Sequence, residues 1–85
     1  MIFDFAQIRC ILGVLQQLDK GKSKYSYMFR ITKVSHITLQ SVLKELIEKD
    51  FIKKYDVGHQ NVDYEITNKG KKLLTILLKL NQLVR

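Results

Sequence analysis

Few residues in this chain of 85 have the chemistry of a catalytic or metal site. The two histidines, His36 and His59, are far apart in sequence, and the single cysteine, Cys10, lies among apolar residues. A zinc site needs clustered ligands, and nucleophilic catalysis needs a base near the nucleophile. A glycine-rich phosphate loop is also absent. We therefore expect that the protein is not an enzyme and that it binds no metal and no cofactor. We interpret Cys10 as a small buried side chain.

The charged residues favour the binding of a polyanion instead. Lys and Arg number 15 against 8 Asp and Glu, so the formal net charge is +7 and the isoelectric point is near 9.7. Nucleic acid and anionic membranes are the usual partners of such a surface. Membrane binding is disfavoured, because the aromatic-rich, lysine-flanked helix face that it requires is absent. Since no bilayer-spanning run or signal-peptide pattern occurs, we expect a cytoplasmic, nucleoid-associated protein.

Apolar periodicity divides the chain into elements that suit one domain of the α+β class, mostly α. The polar residues Asp4 with Gln7, Ser26, Ser35 and Thr67 stand at the expected helix starts and are suited to capping them. In chain order we expect a helix at 4–18, a short edge strand at 24–25, helices at 27–31 and 36–49, strands at 51–56 and 62–67, and a last helix at 68–84.

The third helix has two chemically different faces. One face is apolar and suits a core, while the other is polar and mostly uncharged near its N-terminus. An isoleucine among small polar side chains is unusual on a surface that meets only solvent, so the polar face is a candidate binding surface. The apolar face comprises Leu39, Val42, Leu43, Leu46 and Ile47, and the outer face comprises Ile37, Gln40, Ser41, Lys44 and Glu48.

Three segments resemble the family of small archaeal-type winged helix-turn-helix DNA-binding proteins. Residues 42–52 (VLKELIEKDFI) are similar to the end of the family's recognition helix and its passage into the wing, with Asp50 in place of the common glycine. Residues 64–70 (YEITNKG) are similar to the segment that leaves the wing. Residues 26–35 resemble the second helix and its turn. Asp50 is therefore expected to take a left-handed backbone conformation.

The resemblance implies a winged helix-turn-helix fold, with a recognition helix at about 36–49 and a β-hairpin wing at about 51–67. Such a helix enters the major groove of double-stranded DNA, where Gln40 suits an adenine edge and Ile37 a thymine methyl group. Phosphate contacts are expected from lysines and from the start of the helix. The predicted DNA-binding residues are Lys33, Ser35, His36, Ile37, Thr38, Gln40, Ser41 and Lys44, with Lys53, Lys54, His59, Gln60 and Asn61 in the wing.

The first and last helices carry apolar residues on more than one side, although a core needs only one stripe. We expect a homodimer in which Val14, Leu18, Leu74 and Leu78 form the interface. The alternative is that these side chains pack inside one chain, with Leu74 and Leu78 beneath the second helix or the N-terminal residues.

The resemblance implies transcription regulators and nucleoid-associated relatives. We therefore expect sequence-specific DNA binding by a regulator, with two alternatives: an architectural protein without sequence preference, or a winged-helix module that binds proteins. The isoleucine, leucine and lysine bias and the resemblance favour an archaeon or one of its viruses or plasmids.

Overall fold

Four helices and a three-stranded sheet make up the part of the chain that the computed structural model describes, which is residues 5–56, 58 and 62–83. The α+β, mostly helical class and the winged order are confirmed. In chain order the elements are α1 (Phe5–Asp19), β1 (Ser23–Lys24), α2 (Tyr25–Thr32), α3 (His36–Glu48), β2 (Ile52–Asp56), β3 (Val62–Ile66) and α4 (Asn68–Leu83).

The element boundaries differ from the predicted ones mainly at the start of α2. Tyr25 belongs to the helix and not to the edge strand, and Lys24 takes the N-cap position without a side-chain hydrogen bond. The prediction that Ser26 caps this helix is therefore wrong, because Ser26 lies inside it. The predicted capping box of Asp4 and Gln7 begins outside the described residues.

The sheet is antiparallel with the strand order β1–β3–β2. Strands β2 and β3 form the hairpin, in which Ile52 pairs with Ile66 and Asp56 with Val62. The two residues of β1 extend the sheet by pairing Ser23 with Tyr64 and Lys24 with Asp63. Because α2 begins at the next residue, this short strand ties the start of α2 to the wing.

Helix α1 runs through the middle of the core and contacts α2, α3, α4 and β3. Val14 is 0% exposed and Leu18 is 1% exposed, and Leu74 of α4 is also buried. The prediction that these three residues form a dimer interface is therefore wrong, since their side chains are already covered within one chain. The buried core comprises Cys10, Ile11, Val14, Leu15, Leu18, Met28, Leu39, Val42, Leu43, Leu46, Ile52, Tyr64, Ile66 and Leu74.

The interpretation of Cys10 as a buried apolar side chain is confirmed, because it is 2% exposed. Burial raises the pKa of its thiol to about 11. The reactive thiolate is therefore scarce at neutral pH, and Cys10 packs as a small core residue.

A tight junction joins the end of α3, the wing and α4. Asp50 has a φ of 63°, which confirms the left-handed conformation expected from the missing glycine. Thr67 caps α4 as predicted: its Oγ1 accepts a hydrogen bond from the Gly70 amide at 3.0 Å. The same hydroxyl lies 2.6 Å from the carbonyl oxygen of Asp50, to which it donates. At Gly70 a Cβ would overlap the carbonyl oxygen of Phe51 and lie 2.8 Å from Ile66 Cγ1.

Replacing Gly70 by alanine should therefore destabilise the fold. We expect Gly70→Ala to lower the free energy of unfolding by about 1–3 kcal/mol, because backbone must move to admit the methyl group. Urea unfolding followed by circular dichroism measures this. The matched control is Gly13→Ala in α1, where the new Cβ would meet only Thr32 Cγ2 at an ordinary 3.5 Å. That control should be stabilising by about 0.5–1 kcal/mol; equal effects of the two variants would contradict the close contact at Gly70.

Candidate nucleic-acid interface

Helix α2, the three residues 33–35 and α3 form a helix-turn-helix unit. Lys33 ends α2 in the left-handed conformation, with a φ of 56°. Ser35 is the N-cap of α3, and its Oγ accepts a hydrogen bond from the Thr38 amide at 3.1 Å. Ser35 Oγ also donates to Thr38 Oγ1 at 3.0 Å. These two hydroxyls thus bond to each other and fix the start of α3, in addition to any role in binding.

The two faces of α3 are divided as the sequence predicts. Its buried residues are Leu39, Val42, Leu43 and Leu46. On the opposite side Gln40, Ser41 and Lys44 are exposed, and Ile37 is 81% exposed. An isoleucine this exposed leaves an apolar side chain in water, which is unfavourable unless a partner covers it.

His36, the first residue of α3, is held by two aromatic residues of α2. The Tyr25 hydroxyl lies 2.8 Å from His36 Nδ1. The Phe29 ring stacks on the imidazole, with centroids 3.7 Å apart and an interplanar angle of 6°. Tyr25 and Phe29 are not among the site residues predicted from the sequence. Their spacing of four residues on one helix, followed by a histidine seven residues later, is the pattern that points to this cluster.

A groove of about 820 Å³ separates α3 from the hairpin and the start of α2. It brings the predicted contact residues Gln40, Lys44 and Lys54 together and adds Lys24 and Ser26 at its edge. The groove is thus lined by three lysines and one acidic residue, Glu48, together with apolar and aromatic side chains that include Leu43, Ile47, Val62 and Tyr64.

Lys53 does not line this groove. Successive side chains of a strand point to opposite faces, so Lys53 lies on the other face of β2 from Lys54 and shares that face with Tyr55. There Lys22 Nζ lies 4.9 Å from the centre of the Tyr55 ring, and the Tyr55 hydroxyl donates to Glu65 Oε1 at 3.0 Å. This hydrogen bond raises the pKa of Tyr55.

Four predicted contact residues remain, one in the turn before α3 and three in the predicted wing. Lys33 is exposed in the turn before α3. The wing residues His59, Gln60 and Asn61 lie outside the described residues. Within the described ranges, no group of three or more His, Cys, Asp or Glu side chains is arranged to hold a metal ion. None of the helices described is both long enough and apolar enough to cross a membrane.

Comparison with known proteins gives one family match. The model of the HxlR-like helix-turn-helix family matches residues 9–85, which is most of the chain. No curated protein matches the sequence.

Several solved structures share the fold at low sequence identity. The smu.1704 protein of Streptococcus mutans is 22% identical, with a TM-score of 0.85 over 99% of this chain and 86% of that one. RosR of H. salinarum is 19% identical, with a TM-score of 0.74 over 94% and 74%. The circadian clock associated protein Pex from Anabaena is 19% identical, with a TM-score of 0.72 over 92% and 78%. Archaeal and bacterial proteins both occur among them, so the archaeal assignment is not confirmed.

The cap of α3 supplies a test of how the site is positioned. Ser35→Ala removes the hydroxyl that accepts from the Thr38 amide, and we expect it to lower the free energy of unfolding by about 1 kcal/mol. Thermal or urea unfolding measures the change. Ser41→Ala is the matched control, because Ser41 is exposed on the outer face within the same helix, where alanine is at least as favourable. If Ser41→Ala destabilises the protein as much as Ser35→Ala, the cap does not have the role assigned to it.

Proposed function

The chain belongs to the HxlR-like helix-turn-helix family, and from this we propose that it is a transcription regulator that binds double-stranded DNA. The observation that carries the proposal is the outer face of α3, where exposed Ile37, Gln40 and Ser41 form an uncharged surface. On a protein of net charge +7, an uncharged patch beside lysines is suited to base edges beside phosphates.

In the proposed complex, the N-terminal half of α3 enters the major groove, which is about 12 Å wide. Gln40 pairs with an adenine edge, Ile37 contacts a thymine methyl group, and Ser41 contacts a base or a phosphate. These contacts specify sequence, because they read chemical groups that differ between base pairs.

Phosphate contacts come from the lysines that surround the groove between α3 and the wing. Lys44 lines it from α3 and Lys54 from β2, whereas the ammonium of Lys24 already pairs with Asp63 at 3.4 Å. In the proposed complex a DNA strand passes along this groove, and the wing lies on the adjacent backbone or minor groove. Lys53 is left out of the proposal, because it lies on the other face of β2.

The direct test is a DNA-binding titration of the purified protein at two salt concentrations, with random duplexes and with duplexes enriched by selection. We expect tight binding to the selected duplexes that survives the higher salt. If the protein instead binds all duplexes with equal affinity, and this affinity falls steeply at the higher salt concentration, it is an architectural protein. Failure to bind either pool would overturn the proposal.

Two substitutions should separate base contacts from phosphate contacts. Gln40→Ala should reduce discrimination at one base pair by about 1–3 kcal/mol, because the hydrogen bonds to that base are lost. Lys54→Ala should weaken binding to all duplexes and reduce the salt slope by about one unit. Binding isotherms at several salt concentrations measure both effects.

Lys53→Ala is the matched control for Lys54→Ala, since it removes the same charge from the same strand on the opposite face. It should leave the salt slope nearly unchanged. A loss of slope equal to that of Lys54→Ala would mean that the net charge, and not the groove, determines binding.

We also propose that the protein binds DNA as a homodimer through α4. Ile76 is 61% exposed and Leu83 is 83% exposed, while Leu80 lies between them on the same side of the helix. This stripe differs from the predicted interface, of which only Leu78 remains exposed. Burying one such side chain contributes about 1.5–3 kcal/mol, so a few of them on each subunit favour association. A two-fold dimer would present two α3 helices to half-sites about one helical turn apart.

The variant Ile76→Gln with Leu80→Gln tests this dimer. We expect it to raise the dimer dissociation constant by at least about a hundredfold, because two apolar side chains per subunit lose their burial. Sedimentation equilibrium measures the constant. Thr75→Gln places the same amide on the neighbouring polar side of α4 and should leave association unchanged. A native protein that is monomeric at high concentration, or a double variant that still dimerises, would contradict the proposal.

A further inference from the structure

We infer that Tyr25 fixes the tautomer of His36, so that the hydrogen of the neutral imidazole resides on Nε2. The Nε2–H group is then an oriented hydrogen-bond donor to an acceptor on DNA. The inference rests on the proposed function and deepens it, because it assigns a contact and the residue that positions it. The acceptor is a phosphate oxygen or a purine edge, which share the chemistry of an oxygen or nitrogen lone pair.

One hydrogen lies between the Tyr25 hydroxyl and the His36 imidazole. The Tyr25 hydroxyl lies 2.8 Å from Nδ1 of His36, which is an ordinary hydrogen-bond distance. A phenol hydroxyl is a strong donor, whereas the lone pairs of its oxygen are partly delocalised into the ring. A neutral imidazole nitrogen is a strong acceptor. The favoured arrangement has Tyr25 donating to Nδ1, and the hydrogen of a neutral imidazole then resides on Nε2.

Two contacts orient the imidazole of His36. Phe29 stacks on His36 with ring centroids 3.7 Å apart, and Tyr25 and Phe29 are nearly parallel, with centroids 6.4 Å apart. The position of Tyr25 is itself set by the sheet, because Lys24 pairs with Asp63 in β1 and β3 and forms an ion pair with it at 3.4 Å. Stacking restrains the plane of the imidazole, and the Tyr25 hydrogen bond restrains rotation within that plane.

In the proposed complex, Nε2 is the nitrogen of His36 that contacts DNA. Nδ1 and Nε2 lie on different edges of the ring, so Tyr25 occupies one and leaves the other. Among the described residues, no side chain or backbone group bonds to Nε2. His36 is exposed and directly precedes Ile37, the residue proposed to contact a base. A donor that is already oriented beside that contact loses little side-chain entropy on binding. The entropic cost of forming its hydrogen bond to DNA is therefore small.

The tautomer is tested first, on the free protein. Long-range ¹H–¹⁵N correlation spectra at about pH 8 distinguish the nitrogen that carries hydrogen from the one that does not, since a protonated imidazole carries hydrogen on both. The chain has two histidines, so His36→Gln identifies the signals of His36. We expect the Nε2–H pattern in the native protein and a shift toward a mixture of tautomers in Tyr25→Phe. A native spectrum with hydrogen on Nδ1, or one that Tyr25→Phe leaves unchanged, would overturn the inference.

The DNA contact is tested with the same variants on a selected duplex. Tyr25→Phe keeps the ring and removes the hydroxyl, and we expect a loss of affinity of roughly three- to tenfold, the usual value of one hydrogen bond. His36→Gln places an amide N–H near the position of Nε2 and should retain more affinity than His36→Asn, whose amide mimics Nδ1. Tyr27→Phe, which removes an exposed hydroxyl from the same helix, is the matched control and should bind as the native protein does.

Modified duplexes identify the acceptor. Methylphosphonate linkages remove a charged phosphate oxygen, and 7-deazapurines remove a purine N7. The modification that abolishes the difference between native protein and Tyr25→Phe marks the acceptor and supports the inference. If the native protein binds DNA and Tyr25→Phe, His36→Gln and His36→Asn bind equally well, the inference is overturned while the proposed function stands. If the native protein binds no duplex, both are overturned.

Discussion

The fold depends on the burial of α1, which packs against α2, α3, α4 and β3. Its side chains Ile11, Val14, Leu15 and Leu18 are covered almost completely, so four elements surround one helix. In so small a domain this shared core supplies most of the apolar burial. The orientation of α3 follows from it, because α3 must turn Leu39 and its apolar neighbours toward α1. The polar face of α3 is exposed as a consequence of how the core packs.

The charged residues contribute only weakly to stability. The ion pair between Lys24 and Asp63 is 3.4 Å long and lies at the surface, as does the pair between Lys49 and Glu45. Exposed pairs of this kind are worth at most about 1 kcal/mol. The core therefore stabilises the fold, and among the described residues no ion pair involves Lys44 or Lys54. Such lysines are available to phosphates at little cost to stability.

Features determined by a residue and its nearest neighbours could be predicted from the sequence. The caps of α3 and α4 by Ser35 and Thr67 and the left-handed Asp50 follow from local backbone chemistry. The interface residues could not be predicted, because periodicity shows that a helix face is apolar but not what covers it. Periodicity places Val14 outside the predicted core stripe of α1. It is nevertheless fully buried, because elements distant in sequence surround α1 on several sides. The ring cluster on His36 was missed for the same reason, because it joins two helices.

The junction between the wing and α4 connects the two surfaces on which the proposed function relies. Gly70 lets the first turn of α4 lie against the Phe51 backbone, and Lys69 Nζ donates to the carbonyl oxygen of Lys49 at 2.8 Å. Lys49 is the C-cap of α3, so the start of α4 is fixed against the end of the helix proposed to read DNA. In a dimer formed through α4, these contacts between α4 and the end of α3 would determine the distance between the two α3 helices. Because half-sites on DNA repeat at a fixed spacing, such stiffness favours the binding of correctly spaced sites over all others.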